Sequence, residues 1–454
     1  MRKALPVGRL HRGCRYSSRI DAKQQLSHLD SCKTQNMYID RINLTNFRTF
    51  RNSEIAFVHP DQDFGALDLP KPKLSNVNLL LGNNGFGKTA MLKAIALASL
   101  GPAVRSSGIY PYRLVRTEPN GNKPKAANHV NHEAILEAVF TTHKQDANGN
   151  TPHKIESLIK VTRKGDLEEV DWAHHDEKAW HPIYSSSSDA FFFVGYGATR
   201  RVERRTNIDV GSRQSSSFVR AQRVQSLFED AYSLIPLSTW LPSFKQSNKG
   251  RYTQVEHLIN RLLGRGHYSF TGEMDDGEFL FERKGLKVPF PALSDGYRAF
   301  LGWVGDLLYH LCMTCPKGKK LVENQGIVMV DEIDLHLHPK WQMTLLSTLA
   351  RELPEIQFIV TSHSPLVVGS LEWMNIIRME AGPDQTSQPK RLEWAIHGLD
   401  ADQILLSGFF GLESTRAQGK KRRLKNLTLQ AREGDADAAK QLLEEMSRGT
   451  ERLG

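Results

Sequence analysis

The chain has 454 residues, of which 39% are hydrophobic and 24% are charged, a balance typical of soluble globular proteins. No apolar run reaches the roughly 18 residues of a membrane-spanning helix, and the four cysteines do not indicate a disulfide framework, so we expect a cytoplasmic protein without a membrane partner. Residues 1–36 contain eight Lys or Arg and two Asp, so most of the net charge of +10 lies there and the remainder is nearly neutral.

The first 36 residues contain few large apolar side chains, which predicts a disordered leader or translated upstream sequence, with Met37 as an alternative start. From Met37 to Phe50 the sequence alternates as a strand does, with a turn at Asn46.

A hydrophobic run at residues 75–81 predicts a strand that leads into Gly82-Asn83-Asn84-Gly85-Phe86-Gly87-Lys88-Thr89. This is the pattern of a phosphate-binding loop. Its glycines allow successive backbone N–H groups to surround an anion, Lys88 can reach the β- and γ-phosphates, and the Thr89 hydroxyl can bind Mg²⁺. Helix formers at residues 90–98 direct the positive end of a helix dipole at the phosphates. The stretch predicts binding of a nucleoside triphosphate with Mg²⁺.

The region that follows is less regular. Residues 101–131 contain Gly, Pro, Asn and Lys without periodicity, which predicts a mobile surface loop. Residues 132–140 and 154–162 predict strands of a β-subdomain, although the first run also fits a helix. Residues 191–201 predict a buried strand and a glycine-rich turn with two arginines, and residues 218–263 a short helical insertion without sustained heptads.

The second half alternates between strands and helices. We predict strands at 268–270, 278–282, 326–330 and 357–361 and helices at 296–312 and 341–353. Residues 413–447 predict a helical tail with a basic run at 420–425. This alternation is typical of an α/β fold with a mostly parallel sheet.

Two acidic residues, Asp331 and Glu332, follow the unbroken apolar run at 326–330. At the C-terminal edge of a sheet, Asp331 can order Mg²⁺ and Glu332 can polarise an attacking water molecule. Such a pair alone is weak evidence for a nucleotide site, but together with a phosphate-binding loop earlier in the same chain it is strong evidence.

Two further stretches favour phosphate chemistry. In Leu293-Ser294-Asp295-Gly296, Ser294 is of the N-cap type and Gly296 exposes a backbone N–H, which predicts an anion site; the alternative is an ordinary capped helix. His363 follows a buried strand in a tight turn, where its ring can donate a hydrogen bond to a γ-phosphate.

In chain order, the motifs are the phosphate-binding loop, the signature Leu293–Gly296, the acids Asp331 and Glu332, and His363. This series resembles the ABC-type ATPase heads of the SMC/RecF/OLD group. The pattern Asn46-Phe47-Arg48-x-Phe50 is similar to the SMC/RecF class and makes Arg48 a candidate nucleotide contact. The stretch from Asp331 to Gln342 is similar to AAA-type ATPases of bacterial phage-defence operons, including the Septu ATPase and retron-associated ATPases paired with an HNH nuclease. The resemblance covers roughly residues 37–410.

The resemblance implies an α/β fold: an ABC/SMC-like P-loop ATPase head with a β-subdomain, a short helical insertion and a C-terminal helical tail. We expect five parts: the basic leader 1–36, a lobe 37–202 with the phosphate-binding loop and β-subdomain, a helical insertion with connecting strands 203–292, a second lobe 293–400 with the signature, acids and histidine, and a helical basic tail 401–454.

The resemblance also implies that two heads join head to tail, as a homodimer or higher oligomer. ATP held by residues 82–89 of one subunit would be capped by Ser294 and Gly296 of the other. Glu332 and His363 would be catalytic, Thr89 and Asp331 would hold Mg²⁺, and Asp334 would lie near the dimer seam. The glutamine of the family's Q-loop is missing, and residues 195–200 occupy its position, which leaves the second Mg²⁺ ligand unassigned.

Three functions remain open at this point. The first is an ATP-driven regulator of a separate effector, an HNH-type nuclease, in anti-phage defence; Phe409 and Phe410 could dock a partner or be buried. The second is a RecF-like repair or recombination clamp that binds DNA, or RNA, in a basic groove. The residues that could line such a groove, or simply form solvated faces, are Arg200, Arg201, Arg204, Arg205 and the run 420–425. The third is a transporter ATPase, which the Arg48 pattern and the basic tail disfavour.

Overall fold

The computed structural model describes residues 37–118, 129–142, 153–173, 180, 183, 192–202, 219–264, 268–316, 318–396, 398–412, 414–415 and 418–447. The predicted leader 1–36 and the arginines at positions 204 and 205 lie outside the described residues.

The strands, numbered in chain order, are β1 (Met37–Phe47), β2 (Phe50–Ala56), β3 (Val77–Leu81), β4 (Thr117–Glu118), β5 (His129–Val130), β6 (Glu133–Thr142), β7 (Lys154–Lys164), β8 (Leu167–Trp172), β9 (Phe192–Tyr196), β10 (Arg201–Val202), β11 (Ser233–Leu234), β12 (Ser269–Asp275), β13 (Glu278–Arg283), β14 (Leu286–Pro289), β15 (Gly326–Val330), β16 (Ile356–Ser362), β17 (Ile376–Ala381) and β18 (Ser387–Lys390). The α-helices are α1 (Lys88–Leu100), α2 (Val219–Gln225), α3 (Leu237–Ser247), α4 (Lys249–Leu263), α5 (Asp295–Thr314), α6 (Pro339–Gln342), α7 (Leu345–Glu352), α8 (Pro365–Gly369), α9 (Ala401–Leu406), α10 (Gln418–Arg432) and α11 (Ala436–Ser447).

The central sheet has the strand order β18-β17-β3-β16-β15-β9. All neighbours pair in parallel except β18, which is antiparallel to β17. Every residue of β3, β9, β15 and β16 is buried, as expected for strands covered on both faces. Because parallel strands end at the same edge, the segments after β3, β9, β15 and β16 converge there.

Each face of this sheet supports a separate hydrophobic core, because side chains alternate along a strand. In β15, Ile327 and Met329 pack on the side of α1, while Val328 and Val330 pack on the side of α4 and α5. The unbroken apolar run that predicted this strand therefore serves both cores.

A second, antiparallel sheet with the order β2-β1-β6-β7-β8 covers the outer side of α1. The run at 132–140, for which a helix was the alternative, is strand β6, paired with both β1 and β7. Helix α1 is thus held between two sheets, and the turn between β1 and β2 lies beside its N-terminus. The α/β fold with a β-subdomain is confirmed, and so are the helices of the insertion and the tail.

Three details of the predicted elements are wrong. The helix expected at 341–353 is divided into α6 and α7, because Thr344 N donates to Trp341 O in a tight turn before the next helix begins. The insertion's small sheet has a third strand, β14, which the proline at its end concealed. Within residues 101–118, the side chains of Ile109, Leu114 and Val115 are buried, so this part is a packed segment rather than a surface loop.

Among the described residues, no helix combines the length and apolar character needed to cross a bilayer.

Candidate active site

The phosphate-binding loop runs from β3 into α1 and is confined on two sides. Gly87, at the N-cap of α1, has φ 84°, and a Cβ there would lie 2.5 Å from Thr49 Oγ1 and 2.7 Å from Phe50 Cζ. A Cβ at Gly82 would lie 2.6 Å from the Met379 carbonyl oxygen. Only glycine fits each of these positions, and the first backbone N–H groups of α1, which have no partner within the helix, are free to bind an anion.

The Lys88 ammonium lies inside this loop. Its Nζ donates to the carbonyl oxygens of Gly82 at 2.7 Å and Asn83 at 3.1 Å. Burial lowers the pKa of Lys88, and the nearby carboxylates of Asp331 and Glu332 oppose that effect. The lysine is therefore held at the loop, facing the acids at the end of β15.

A hydrogen bond joins the side chains of Thr89 and Asp331 at the edge of the sheet. The Thr89 hydroxyl donates to Asp331 Oδ2 at 2.7 Å, and Asp331 Oδ1 accepts from the Thr361 hydroxyl at 2.6 Å. Within the described part of the chain, no group of three or more His, Cys, Asp or Glu side chains could hold a metal ion. A hydroxyl and one carboxylate nevertheless fit Mg²⁺, which takes few protein ligands and completes its shell with phosphate oxygens and water.

Glu332 has an unusual backbone that two neighbours hold in place. Its φ is 48°, a left-handed conformation that costs energy for a residue with a side chain. Its N–H donates to Thr361 Oγ1 at 2.7 Å, and its carbonyl accepts from Arg200 Nη2 at 2.7 Å. The half-buried side chain of Glu332 therefore extends from a fixed backbone position next to Asp331.

His363 lies on the exposed side of the same edge, directly after β16. Partial burial and the Lys88 charge lower its pKa, while Glu332, Asp334 and Asp331 act in the opposite direction. A neutral ring offers one N–H donor at neutral pH.

The signature residues lie at the start of α5, against a different loop. A Cβ at Gly296 would lie 2.6 Å from the His336 carbonyl oxygen, so Gly296 contacts the loop after Glu332. Ser294 is the N-cap residue, but its exposed side chain makes no capping hydrogen bond. Of the described contacts, none joins Gly296 to the phosphate-binding loop of the same chain.

Arg48 stands in the turn that contacts Gly87. Its φ is 53°, and its guanidinium donates to the Tyr112 carbonyl oxygen at 3.3 Å. Burial lowers the pKa of Arg48, and Glu168 opposes this. The turn therefore adjoins the phosphate-binding loop, while the hydrogen bond of the side chain goes to Tyr112.

Arg200 was a candidate for a basic groove or a solvated face, and the structure contradicts both possibilities. Arg200 is only 7% exposed and lies beside Glu332, so it cannot line an open groove. Arg200 is buried because β9 pairs with β15, so the segment after β9 runs beside the end of β15. In the sequence, only the general rule that parallel strands end at one edge could have indicated this position.

A buried polar network that the sequence did not reveal connects β9 to α5. The Tyr196 hydroxyl donates to Asp306 Oδ2 at 2.9 Å, the Ile235 N–H donates to Asp306 Oδ1 at 2.8 Å, and His310 Nε2 lies 3.3 Å from Asp306 Oδ2. Burial raises the pKa of Asp306, but His310, the Ile235 N–H and the Tyr196 hydroxyl together hold it below its ordinary value. The strand that ends near Arg200 is thereby attached to the signature helix.

The segments after β3, β15 and β16 thus bring residues 82–89, the acids and His363 to one edge of a parallel sheet, the arrangement expected of a P-loop ATPase. Residues 77–369 match the family described as "AAA domain, putative AbiEii toxin, Type IV TA system", and the chain belongs to this family.

Several curated proteins are similar to the chain. The Septu protein PtuA of Bacillus mycoides is 24% identical over 379 residues, which cover 83% of this chain and 45% of that protein. The retron Ec83 probable ATPase of Escherichia coli is 24% identical over 405 residues, covering 75% of this chain and 74% of that protein. The chain thus spans a little under half of the Septu relative.

Solved SMC heads are similar at low identity. The SMC head domain from Thermotoga maritima is 16% identical, with a TM-score of 0.42, and the match covers 78% of this chain and 99% of that chain. The fold assignment rests on the sheet topology described above.

Proposed function

We propose that this chain binds ATP with Mg²⁺ at residues 82–89 and hydrolyses it to ADP and phosphate. The observation that carries the proposal is the 2.7 Å contact between Thr89 and Asp331, because it joins the phosphate-binding loop to the acids. Lys88 and the N-terminal N–H groups of α1 bind the phosphates, and Thr89 and Asp331 hold the metal. Bound Mg²⁺ neutralises the charge that develops on the phosphate oxygens.

Glu332 is the proposed base. A water oxygen bonds to the γ-phosphorus, one of its protons passes to the Glu332 carboxylate, and the bond from phosphorus to the bridging oxygen of ADP breaks. His363 donates a hydrogen bond to a γ-phosphate oxygen. The two hydrogen bonds to the Glu332 backbone support this role, since they keep the base in one orientation.

We further propose that two copies join head to tail through bound ATP. Ser294 is exposed and its hydroxyl makes no capping bond, and Gly296 contacts the loop after Glu332 instead of the phosphate-binding loop. A second copy can supply these donors to the γ-phosphate. ATP then stabilises the dimer or a higher oligomer, and hydrolysis releases it.

The biological role we propose is control of a separate effector, an HNH-type nuclease, in anti-phage defence in the cytoplasm. Support comes from the resemblance of residues 331–342 to ATPases of defence operons and from the relatives' names, Septu protein PtuA and retron ATPase. The pair Phe409 and Phe410 does not support docking, because Phe409 is 3% exposed and its ring lies 6.3 Å from that of Trp394.

A RecF-like clamp that binds DNA or RNA remains the second candidate. Arg422, Arg423 and Lys425 are exposed on α10, which favours it. Arg423 is partly neutralised by Glu445 at 3.4 Å, and the burial of Arg200 removes one member of the groove, so the basic surface is smaller than the sequence indicated.

The test of the ATP-dependent dimer uses Glu332→Gln, which keeps ATP intact. We expect this variant to elute as a dimer or larger assembly with ATP and Mg²⁺ and as a smaller species with ADP. A variant that remains monomeric with ATP would contradict the head-to-tail arrangement.

The test of the role is purification of the chain with its genomic neighbours co-expressed. A nuclease that co-purifies in fixed stoichiometry supports regulation of an effector. Tight ATP-dependent binding of gapped DNA by the chain alone, with no nuclease partner, favours the clamp instead.

A further inference from the structure

The segment between β9 and β10 follows a path that its neighbours determine. A Cβ at Gly195 would lie 2.4 Å from Leu227 Cδ1, and a Cβ at Gly197 would lie 2.2 Å from the Ser226 carbonyl oxygen. The Gly197 N–H donates to Ser226 Oγ at 3.1 Å. This close contact directs the segment along the sheet edge and brings Arg200, with φ 32°, to the end of β15.

The Arg200 guanidinium is buried, and nearby carboxylates act on its charge. The charged groups that act on it are Asp331, Asp334 and Glu332, and burial lowers its pKa to about 10, so it remains protonated at neutral pH. Of its two terminal nitrogens, Nη2 donates a hydrogen bond to the Glu332 carbonyl oxygen.

The second terminal nitrogen of the Arg200 guanidinium, Nη1, is buried and donates to no acceptor among the described residues. The carboxylates of Asp331, Asp334 and Glu332 nevertheless act on its charge. A buried N–H of a charged group that lacks an acceptor is destabilising, and a bound ligand that supplies the acceptor removes this cost. Arg200 also lies at the edge of the sheet that carries Thr89 and Asp331, because its Nη2 reaches the carbonyl of the neighbouring Glu332.

We propose that Arg200 distinguishes ATP from ADP by donating Nη1 to a γ-phosphate oxygen while Nη2 holds the Glu332 peptide. The assignment rests on the ATPase function proposed above. A guanidinium suits this task because its planar fork makes two charge-assisted bonds in fixed directions. Since ADP has no γ-phosphate, Nη1 is satisfied only in the ATP complex, and ATP binding is linked directly to the backbone of the proposed base.

The experiment measures dissociation constants for Mg²⁺–ATP and Mg²⁺–ADP by calorimetry, in the Glu332→Gln background to prevent turnover. We expect Arg200→Ala to weaken ATP binding about 10- to 100-fold and ADP binding less than about threefold, the effect of losing one charge-assisted hydrogen bond. Equal losses for ATP and ADP would mean a structural role only and would overturn the proposal.

Arg391→Ala is the matched control. Arg391 is a half-buried arginine that, like Arg200, donates to backbone carbonyls, those of Met374 and Ala56, and it lies near the start of β17. We expect this variant to lower the unfolding temperature without changing the ratio of the ATP and ADP affinities.

Arg200→Lys serves if Arg200→Ala does not fold. It keeps the charge but loses the fork, so we expect the ATP preference to fall at least about threefold; an unchanged preference overturns the proposal. If the Glu332→Gln parent binds neither nucleotide, the ATPase function fails together with the Arg200 assignment. If the parent binds ATP and the Arg200 variants keep its preference, only the assignment fails.

Discussion

The Thr89 hydroxyl donates a 2.7 Å hydrogen bond to Asp331 Oδ2, across 242 positions of the chain. It joins the first turn of α1 to the end of β15, and both oxygens fit the same Mg²⁺ ion. The proposed metal site therefore exists only when the strands that carry the two motifs belong to one sheet.

Thr89→Val tests this pair, because it keeps the shape of the side chain and removes the hydroxyl. We expect the gain in ATP affinity on adding Mg²⁺ to fall by about 10-fold, as one ligand oxygen is lost. Thr89→Ser keeps the hydroxyl and should retain the gain. Titration of ATP with Mg²⁺ and with EDTA measures both, and an unchanged Mg²⁺ dependence in Thr89→Val would remove Thr89 from the site.

Gly87 and Gly85 form a matched pair within the phosphate-binding loop. Both have φ 84°, but a Cβ at Gly87 would overlap Thr49 and Phe50, whereas a Cβ at Gly85 meets nothing within 4 Å. We expect Gly87→Ala to abolish measurable ATP binding, because the loop must move. Gly85→Ala carries only the backbone strain of about 1–3 kcal/mol. Equal ATP affinities in the two variants would contradict the tight contact with the β1–β2 turn.

Ser294→Ala distinguishes a role of Ser294 in the ATP-dependent dimer from a role in the stability of the fold. The hydroxyl makes no capping bond, so we expect the free energy of unfolding to change by less than about 0.5 kcal/mol. The ATP-dependent dimer of Glu332→Gln should weaken about 10-fold, since one donor to the γ-phosphate is lost. Equilibrium sedimentation measures the dimer, and an unaltered dimer would exclude Ser294 from the interface.

Removal of the Asp306 carboxylate should be among the more damaging changes outside the nucleotide site. Asp306→Ala leaves a buried Tyr196 hydroxyl and Ile235 N–H without their acceptor, and we expect a loss of about 3–5 kcal/mol in the free energy of unfolding. Tyr196→Phe removes one hydrogen bond and should cost about 1 kcal/mol. Urea denaturation compares them, and similar losses would show that Asp306 is not the centre of the network.

The same network has a defined pH dependence. The pKa of Asp306 in the folded protein is held below its ordinary value of 3.8, so its contribution to stability is present above that value and is lost as the pH falls through the lower, folded value. We expect the stability difference between the wild type and Asp306→Ala to shrink as the pH falls below about pH 4. A difference that continues to grow below about pH 4 would contradict this sign.

Some features of the chain could be predicted because their signals are local. The eight-residue pattern 82–89 requires its glycines for close backbone approach, and the apolar run 326–330 followed by two acids is itself a strand and its end. Residues 101–118 were misjudged because Gly and Pro conceal the few apolar side chains that anchor the segment, such as Leu114.

The class of fold, the order of the ATPase motifs and the residue types available for phosphate and metal binding could be predicted, since spacing and composition encode them directly. Which side chains meet could not be predicted, because that depends on how distant segments pack. The parallel pairing of β9 with β15 moves Arg200 from an expected surface groove to the Glu332 carbonyl, and Asp306 becomes the link between β9 and the signature helix. Such contacts depend on strand order and burial, which residues far apart in the chain establish together.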